Sequence, residues 1–452
     1  MDLLDEDATA QIAALRSGAV SAPELMAATL DRIDARNPSL NAIVSLRDRD
    51  ALMAEAAIPR DGPLAGLPWA IKDLADTAGL RTTYGHPAFA DHVPAEDAPM
   101  VARLKAAGAI VIGKTNTPEF GLGSHSYNPV HGVTRNPWDP TRSAGGSSGG
   151  AGAALAARML AAADGSDMMG SLRNPAAWNG IYGMRPTYGL VPNTPQGDLF
   201  LHPLSTDGPM ARSPRDLALI LSVLAPHDPV HPHARGPFRP APPRPLRIGW
   251  VGDWGGAWPC EPGLVAHAEA TARGLADLDH AVMDIAAPFP ADRLWSAWTT
   301  LRSWAIAEKM RPLWTERFAG MSKPELVWEV ERGFALSAAE VHAASAVASD
   351  WARRMAALDI DVLAMPTTQC LPFAAGLDWP KEIAGIRMDS YHRWMESVVP
   401  ASLIGLPALS LPAAPVEGLP CGLQLVGQRG SDGALLALAE VWHRDLPAPD
   451  VA

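Results

Sequence analysis

The amino-acid sequence predicts an α/β protein. Short apolar runs alternate along the chain with alanine-rich stretches of helical character, which is the pattern of that fold class. These segments lie at residues 69–71, 110–112, 151–163, 217–224 and 248–251. The chain has 452 residues, of which 48% are hydrophobic and 19% charged. That composition is typical of a globular protein and allows one large core or two domains.

The first element along the chain is predicted to be a helix. Residues 21–24, Ser-Ala-Pro-Glu, have the pattern of a capping box, in which the serine and the glutamate satisfy each other's backbone N–H groups. Met26, Leu30 and Ile33 then share one face of the helix. Residues 37–38, Asn-Pro, are expected to end it.

A strand is predicted over residues 67–73, and it contains a lysine. Alternation places Trp69 and Ile71 on one face of this strand and Ala70 and Lys72 on the other. From the strand alone, an exposed lysine on the outer face is the simpler interpretation. The alternative is a buried lysine that is kept neutral by its surroundings and can act as a base.

Two turns rich in glycine and serine follow, with a helical stretch between them. Residues 145–150 place Ser147 among glycines, which let the main chain approach a substrate closely. An alanine-rich helix is predicted over residues 151–163, and a second turn over residues 165–175 contains Ser171 near a helix start. Backbone N–H groups at a helix start are available to polar groups. Considered singly, these serines are better explained as parts of a flexible loop and of a helix cap.

A serine nucleophile needs a group that takes its proton. The usual base is a histidine held by a carboxylate, but neither turn contains a histidine. Lys72 is therefore the candidate base, provided that burial keeps its amine neutral.

The two turns resemble the amidase signature family, which shares the Gly-Gly-Ser-Ser-Gly-Gly run and the later Gly-Ser turn at this spacing. Other segments are similar to family sequences almost position by position, and nearly the whole chain is covered. These segments are residues 66–83, 97–124, 132–150, 182–192, 208–221 and 418–427. The resemblance implies a single domain with a central mixed β-sheet that is covered by helices on both faces.

The resemblance also divides the single amidase domain, residues 1–452, into parts. The expected parts are a signature core at about 62–225, a proline-rich connector at about 226–247, a variable helical region at about 260–360 and a C-terminal part of the core at about 361–445. The connector is expected to be a surface loop, because its many prolines fit neither a helix nor a central strand.

By resemblance, the catalytic residues are Lys72, Ser147 and Ser171. Ser171 is expected to attack the amide carbonyl, while Ser147 relays the proton to neutral Lys72 and water later hydrolyses the acyl-serine. The peptide bond before the relay serine is cis in the family, which here is the bond between Gly146 and Ser147.

An oxyanion hole and three supporting side chains complete the expected site. The oxyanion is expected to bind the backbone N–H groups of Met168, Met169, Gly170 and Ser171. The supporting residues are Ser148, Asp167 and Arg173. The chain departs from the family at Met168 and Met169, since the family has glycine at the second position and a small or β-branched residue at the first. These thioethers are expected to restrict the backbone at residue 169 and to reshape the acyl site.

Three other motifs are rejected. Residues 108–115 match the phosphate-binding loop pattern, but the residues between the two glycines form a strand pattern, and a phosphate-binding loop needs its strand earlier. Residues 145–149 match the nucleophile elbow of α/β-hydrolases, but no strand precedes them. The polar groups of the connector, His227, Asp228, His231 and His233, lack a rigid element that would position a metal. No metal and no cofactor are expected.

An aromatic helix is predicted in the variable region. Trp295, Trp298, Leu301 and Ala305 follow one helical face, and the same region contains Trp304, Trp314 and Trp328. Packing in the core is the simpler explanation. A wall of an apolar acyl or aryl pocket is the alternative.

Charge and cysteine content limit the partners and the compartment. The net charge of −12 and the lack of a basic block argue against nucleic acid as a direct partner.

The cysteines favour a reducing compartment over a disulfide framework, because they are odd in number and widely spaced. They are Cys260, Cys370 and Cys421. The first ten residues are acidic and no apolar run reaches membrane length, so we expect a cytoplasmic protein without a membrane partner. The expected binding partner is a small-molecule amide substrate, and a homodimer is compatible with the sequence.

The sequence therefore predicts an amide hydrolase that cleaves the C–N bond of a small, partly apolar carboxamide through an acyl-serine. Two alternatives stay open, namely the amidase subunit of a tRNA-dependent amidotransferase and a non-catalytic binding scaffold with the same fold.

Overall fold

The computed structural model describes residues 3–192, 200–201 and 203–445. The α-helices are α1 (Ala8–Ser17), α2 (Ala22–Leu40), α3 (Arg49–Ala56), α4 (Pro99–Ala106), α5 (Gly149–Ala156), α6 (Arg173–Asn179), α7 (Pro214–Leu224), α8 (Leu264–Gly274), α9 (Ala291–Met310), α10 (Glu316–Met321), α11 (Pro324–Phe334), α12 (Ala338–Ala356), α13 (Val399–Leu403) and α14 (Asp432–Asp445). Short 3-10 helices lie at Leu3–Asp5, Pro87–Phe89, Glu119–Gly121, Leu275–Leu278 and Arg393–Val398.

The strands are β1 (Ile43–Val44), β2 (Pro68–Lys72), β3 (Ile110–Thr115), β4 (Tyr127–Asn128), β5 (Gly132–Val133), β6 (Ala162–Asp167), β7 (Tyr182–Arg185), β8 (Thr206–Ala211), β9 (Arg247–Trp250), β10 (Ala281–Asp284), β11 (Val362–Pro366), β12 (Glu382–Ile383), β13 (Ile386–Arg387), β14 (Ala408–Val416) and β15 (Leu419–Gly427).

The main sheet is mixed, as predicted. Within the described residues it has eight strands in the order β10-β9-β11-β15-β14-β7-β8-β6. The first three run parallel to one another, and every later pair is antiparallel. A smaller sheet, β1-β3-β2, lies next to β6. The two sheets are joined where the indole N–H of Trp69 donates to the Asp164 carboxylate at 2.8 Å.

Helices cover both faces of the main sheet, which confirms the predicted architecture. On β11, Val362 and Ala364 belong to a core that includes apolar residues of α7 and α14. Leu363 and Met365, whose side chains emerge from the opposite face, belong to a second core that includes Trp298 of α9.

The N-terminal helix α2 starts at the predicted capping box but does not end at Asn37 and Pro38, so that part of the prediction is wrong. The helix continues to Leu40. Pro38 lies in the last turn, where its missing N–H removes one hydrogen bond and does not end the helix. The end is set by Asn41, which has a φ of 52° and donates its N–H to the Asn37 carbonyl at 2.7 Å.

The helix predicted over residues 151–163 is shorter and begins earlier, since α5 spans Gly149–Ala156. The helical stretch cannot continue, because Arg158 has a φ of 57° and residues 162–167 pair along their whole length with β8. This pairing overrides the helix propensity of the alanines. The second serine turn is therefore also shorter than predicted, since residues 165–167 belong to β6.

Other predicted elements are present. Between α7 and β9 the chain forms neither helix nor strand, as expected for the proline-rich connector. The tryptophan-rich stretch forms α9, in which Trp298 is fully buried. The run at residues 217–224 is part of a helix, α7.

The segment that matches a phosphate-binding loop forms strand β3, which agrees with its rejection as a nucleotide site. Its lysine, Lys114, is buried. The Lys114 amine donates to the Ala75 carbonyl at 2.6 Å and to the Thr77 hydroxyl at 2.9 Å. It therefore holds the loop that follows β2.

Over the described ranges, no helix has both the length and the apolar character that a bilayer crossing requires.

We predict that Gly183→Ala loosens the packing between β7 and the start of α6. A methyl group at this position would lie 2.2 Å from the Leu172 carbonyl oxygen and 2.7 Å from the Ala176 Cβ atom. Relief requires a shift of the segment next to Ser171. We expect the free energy of unfolding to fall by about 2 to 3 kcal/mol, measured by denaturant titration.

The matched control is Gly320→Ala in α10. Among the described residues, and apart from its chain neighbours and the nearby backbone of α10, no atom lies within 4 Å of a methyl group placed at Gly320. Alanine is also the better helix former, so stability should be unchanged or rise by up to about 1 kcal/mol. Equal stability of the Gly183→Ala variant and the wild type would contradict this packing.

Candidate active site

Lys72 is the last residue of β2, and its side chain is buried with 1% exposure. The Nζ atom lies 2.7 Å from the Ser147 hydroxyl oxygen, 2.8 Å from that of Ser148 and 3.1 Å from that of Ser166. The exposed lysine that the strand pattern alone favoured is therefore wrong.

The surroundings of Lys72 favour its neutral form. Burial lowers the pKa of Lys72 to about 7, although Asp164, Asp207 and Asp167 favour the charged amine. A neutral amine has two N–H groups and one lone pair, so one neighbouring hydroxyl can donate to the nitrogen. Ser147 is the closest hydroxyl, and the geometry allows its proton to pass to Lys72.

The first serine turn is held tightly against residues 124–126. The peptide bond between Gly146 and Ser147 is cis. The Ser124 hydroxyl donates to the Gly146 carbonyl, and the Ser126 hydroxyl accepts the N–H of Gly149 at 3.1 Å. These contacts fix the backbone on both sides of Ser147.

The second serine turn, residues 168–172, is organised by Asp167. Its carboxylate accepts the N–H groups of Gly170 at 3.0 Å and Leu172 at 3.2 Å. It also accepts two bonds from the Arg173 guanidinium, at 3.0 and 2.9 Å, and one from Arg185 at 3.2 Å. Burial by itself would raise the pKa of Asp167, but the two arginines outweigh it and hold this pKa well below its usual range. The carboxylate therefore stays ionised and fixes the turn.

The two turns are hydrogen-bonded to each other. The Ser148 N–H donates to the Ser171 carbonyl at 3.2 Å. Ser147 and Ser171 are 2% and 6% exposed. The structure thus brings Lys72, Ser147, Ser148 and Ser171 together in one buried site.

Three of the four expected oxyanion donors are available. The Gly170 N–H is already bonded to the Asp167 carboxylate, so it cannot also bind an oxyanion. The N–H groups of Met168, Met169 and Ser171 have no protein acceptor in the part of the chain that the structure describes. These three groups can polarise a carbonyl placed at the turn.

The two methionines that distinguish this turn contact helix α9. The Trp298 indole N–H donates to the Met169 sulfur, and the Arg302 guanidinium donates to the Met168 sulfur, both at 3.2 Å. Met169 is nearly fully buried, at 3% exposure. The thioethers therefore form part of the wall between the turn and α9.

Sequence reasoning missed several polar residues of this site. Asp164 accepts the backbone N–H of Lys72 at 3.1 Å, and Ser166 lies beside the Lys72 amine. Asp207 of β8 lies opposite Ser166 of β6 in the sheet. Burial and the neighbouring Asp164 raise the pKa of Asp207 to about 6. The available signal was the group of polar residues Asp164, Ser166 and Asp167 directly after the alanines, but the alanines favoured a helix.

Within the described residues, no group of three or more His, Cys, Asp or Glu side chains is placed to hold a metal ion.

Comparisons with known proteins agree with this arrangement. The Amidase family matches the chain over residues 24–436. A component of the glutamyl-tRNA(Gln) amidotransferase of Thermus thermophilus is 37% identical over 93% of this chain and 93% of its own length. Indoleacetamide hydrolase of Bradyrhizobium diazoefficiens is 34% identical over 96% of this chain and 85% of its own length.

A solved structure shares the fold. The bacterial aryl acylamidase of the amidase signature family superposes with a TM-score of 0.91 at 26% identity, covering 98% of this chain and 96% of that one. The match of the Amidase family to most of the chain, together with these relatives, shows that this protein belongs to the amidase signature family of enzymes that act on carbon–nitrogen bonds.

Proposed function

We propose that this protein, acting alone, hydrolyses a small, partly apolar carboxamide through an acyl intermediate on Ser171. The observation that carries the proposal is the buried Lys72 amine, which has a pKa of about 7 and lies 2.7 Å from the Ser147 hydroxyl oxygen. An amine in this state can accept a proton near neutral pH.

In the first half of the reaction, the Ser171 oxygen attacks the amide carbon. The Ser171 proton moves to Ser147 as the Ser147 proton moves to Lys72. The N–H groups of Met168, Met169 and Ser171 stabilise the negative oxygen of the tetrahedral intermediate. The proton then returns from Lys72 through Ser147 to the leaving nitrogen, the C–N bond breaks and the amine departs.

In the second half, water attacks the acyl ester. Lys72 again takes a proton through Ser147, and the same relay returns it to the Ser171 oxygen as the ester bond breaks. The carboxylic acid leaves and the enzyme is restored without a cofactor.

An apolar wall beside the turn supports the preference for a partly apolar amide. Met168 packs at the edge of a cluster that contains Leu122, Ile306, Met310, Phe318, Leu326 and Val330. Leu122 follows Gly121, at which an added methyl group would lie 3.4 Å from the Ser147 hydroxyl oxygen. The names of two relatives, indoleacetamide hydrolase and aryl acylamidase, also concern amides with aromatic groups.

The second candidate function is that of an amidotransferase component. It is supported by the 37% identity with the glutamyl-tRNA(Gln) amidotransferase component of Thermus thermophilus. The net charge of −12 would leave contacts with tRNA to other subunits. We prefer the first proposal and place the enzyme in the cytoplasm, consistent with the small number and wide spacing of its cysteines.

Purified protein without partners should release ammonia from simple primary amides. We expect aromatic and aliphatic amides to have kcat/KM values at least about tenfold above that of glutamine, because an apolar wall stabilises an apolar acyl group better than a charged amino acid. A coupled ammonia assay measures the rates, and size-exclusion chromatography shows whether the active form is a homodimer. Activity confined to glutamine, or found only after partner subunits are added, would favour the amidotransferase.

Replacement of Ser171 by alanine should reduce kcat by about 10⁴-fold or more, because the attacking oxygen is lost. Circular dichroism and the unfolding temperature should be near those of the wild type. The exposed Ser222→Ala variant is the control and should keep full activity. A fluorophosphonate probe should label the wild type at Ser171, and a wild type that resists labelling and cleaves no amide would favour the binding scaffold.

The rate should depend on the protonation of Lys72. Because the pKa of Lys72 is about 7, kcat/KM should fall about tenfold per pH unit well below pH 7 and level off above it. Lys72→Met should lower kcat/KM by about 10³-fold or more, whereas the exposed-lysine control Lys381→Met should retain the wild-type profile. A wild-type rate that stays constant from pH 5 to pH 9 would contradict the role of Lys72.

A further inference from the structure

Arg302 of α9 is a buried arginine close to the site. Its Nε–H donates to the Glu329 carboxylate at 3.3 Å, and its Nη2–H donates to the Tyr391 hydroxyl oxygen at 2.8 Å. Tyr391 and Ser303 in turn donate to Glu329, at 2.5 and 2.7 Å. Arg302 is 3% exposed and Glu329 is fully buried, so the group forms a neutral pair inside the protein.

The third nitrogen of the guanidinium has a poor partner. Among the described residues, the acceptor shown for Nη1 is the thioether sulfur of Met168, at 3.2 Å. A thioether is a weak acceptor, whereas a guanidinium N–H is a strong donor. Buried polar groups are normally paired with oxygen or nitrogen, so this nitrogen has unused capacity.

Two contacts connect the Arg302 guanidinium to the two serine turns, one through Met168 and one through Tyr391. Met168 is the first residue of the turn that leads to Ser171. Tyr391, the hydrogen-bond partner of Arg302, lines a small cavity together with Leu122 and Ser124. Ser124 donates to the Gly146 carbonyl, which precedes Ser147. The Arg302 guanidinium therefore contacts the first residue of the oxyanion turn directly, and through Tyr391 it contacts the wall of a cavity that also includes Ser124.

We propose that Arg302 determines substrate specificity: its Nη1–H donates to a neutral oxygen atom in the acyl group of the substrate, in place of the Met168 sulfur. This inference rests on the proposed amide hydrolase. The substrate class is a primary amide whose acyl group combines an apolar part with an ether, hydroxyl or carbonyl oxygen.

The charges near Arg302 favour a neutral oxygen over a carboxylate. Glu329 already balances the arginine, and a second buried anion would have no partner of its own. The cavity is lined by Lys323, Glu325 and Asp378, which with every group ionised add one negative charge. It is also lined by His125, which stays neutral because burial lowers its pKa to about 4.

The test uses pairs of primary amides that differ by one oxygen in place of a methylene group. The pairs are benzyloxyacetamide with 4-phenylbutanamide, 3-(benzyloxy)propanamide with 5-phenylpentanamide, and 4-(benzyloxy)butanamide with 6-phenylhexanamide. In at least one pair, wild-type kcat/KM should be about tenfold or more higher for the ether, the size expected for a hydrogen bond from a charged donor. Succinamic acid, which carries a carboxylate, should be a poorer substrate than the preferred ether.

Arg302→Lys separates recognition from stability. Lysine can remain paired with Glu329 but has no second donor that reaches the acyl group, so the ether preference should fall to about twofold or less. Arg293→Lys, an exposed arginine on the same helix, is the control and should keep the wild-type ratio. If Arg302→Lys does not fold, Met168→Leu supplies the test, because it removes the competing sulfur and should maintain or increase the ether preference.

The outcomes separate this inference from the proposed function. Failure to hydrolyse any primary amide would refute the proposed function. Hydrolysis with equal kcat/KM within every pair, a preference for succinamic acid, an Arg302→Lys variant with the wild-type ratio, or a reduced ratio in Met168→Leu would refute only the role of Arg302.

Discussion

The burial of one primary amine against serine hydroxyls is the interaction on which the site depends. Lys72 lies where the small sheet meets the main sheet, and no carboxylate in the described residues comes within ion-pairing distance of its nitrogen. Its nearest partners are the hydroxyls of Ser147, Ser148 and Ser166. Because hydroxyls compensate a buried positive charge poorly, the pKa of Lys72 falls to about 7. The fold thereby maintains a neutral base without a histidine.

The neighbouring turn contains a buried group that is kept charged instead of neutral. Asp167 is also fully buried, but Arg173 and Arg185 contact it directly and keep it charged. An ionised carboxylate can accept several N–H groups at once, and this one fixes the backbone at Gly170 and Leu172. Paired charges therefore hold the geometry of the Ser171 turn, while the unpaired amine at Lys72 provides reactivity. The two groups lie close together, because the Lys72 amine contacts the hydroxyl of Ser166, the residue directly before Asp167.

The sequence was sufficient to predict the features that depend on local patterns of residues. The α/β class, strand β2 and the two serine turns follow from periodicity, glycine content and family resemblance. The helix predicted over residues 151–163 was wrong because alanine propensity could not reveal that β8 pairs with residues 162–167. The use of the Gly170 N–H by Asp167 depends on a turn geometry that residue types do not specify. The contact between Met168 and Arg302 joins positions 134 residues apart, so no local pattern could indicate it.

Met168 and Met169 are better understood together with α9 than as substitutions in a glycine-rich turn. A turn with smaller residues would leave the Trp298 indole N–H without its sulfur partner, and buried donors without acceptors are costly. Conversely, if α9 lacked the N–H donors of Trp298 and Arg302, it could make only apolar contacts with the two methionine side chains. Trp298 and Arg302 lie four residues apart, on one face of the helix, and each reaches one methionine. Helix α9 of the variable region therefore packs directly against the serine turn. The effects of substitutions in α9 and in the turn are expected to depend on each other.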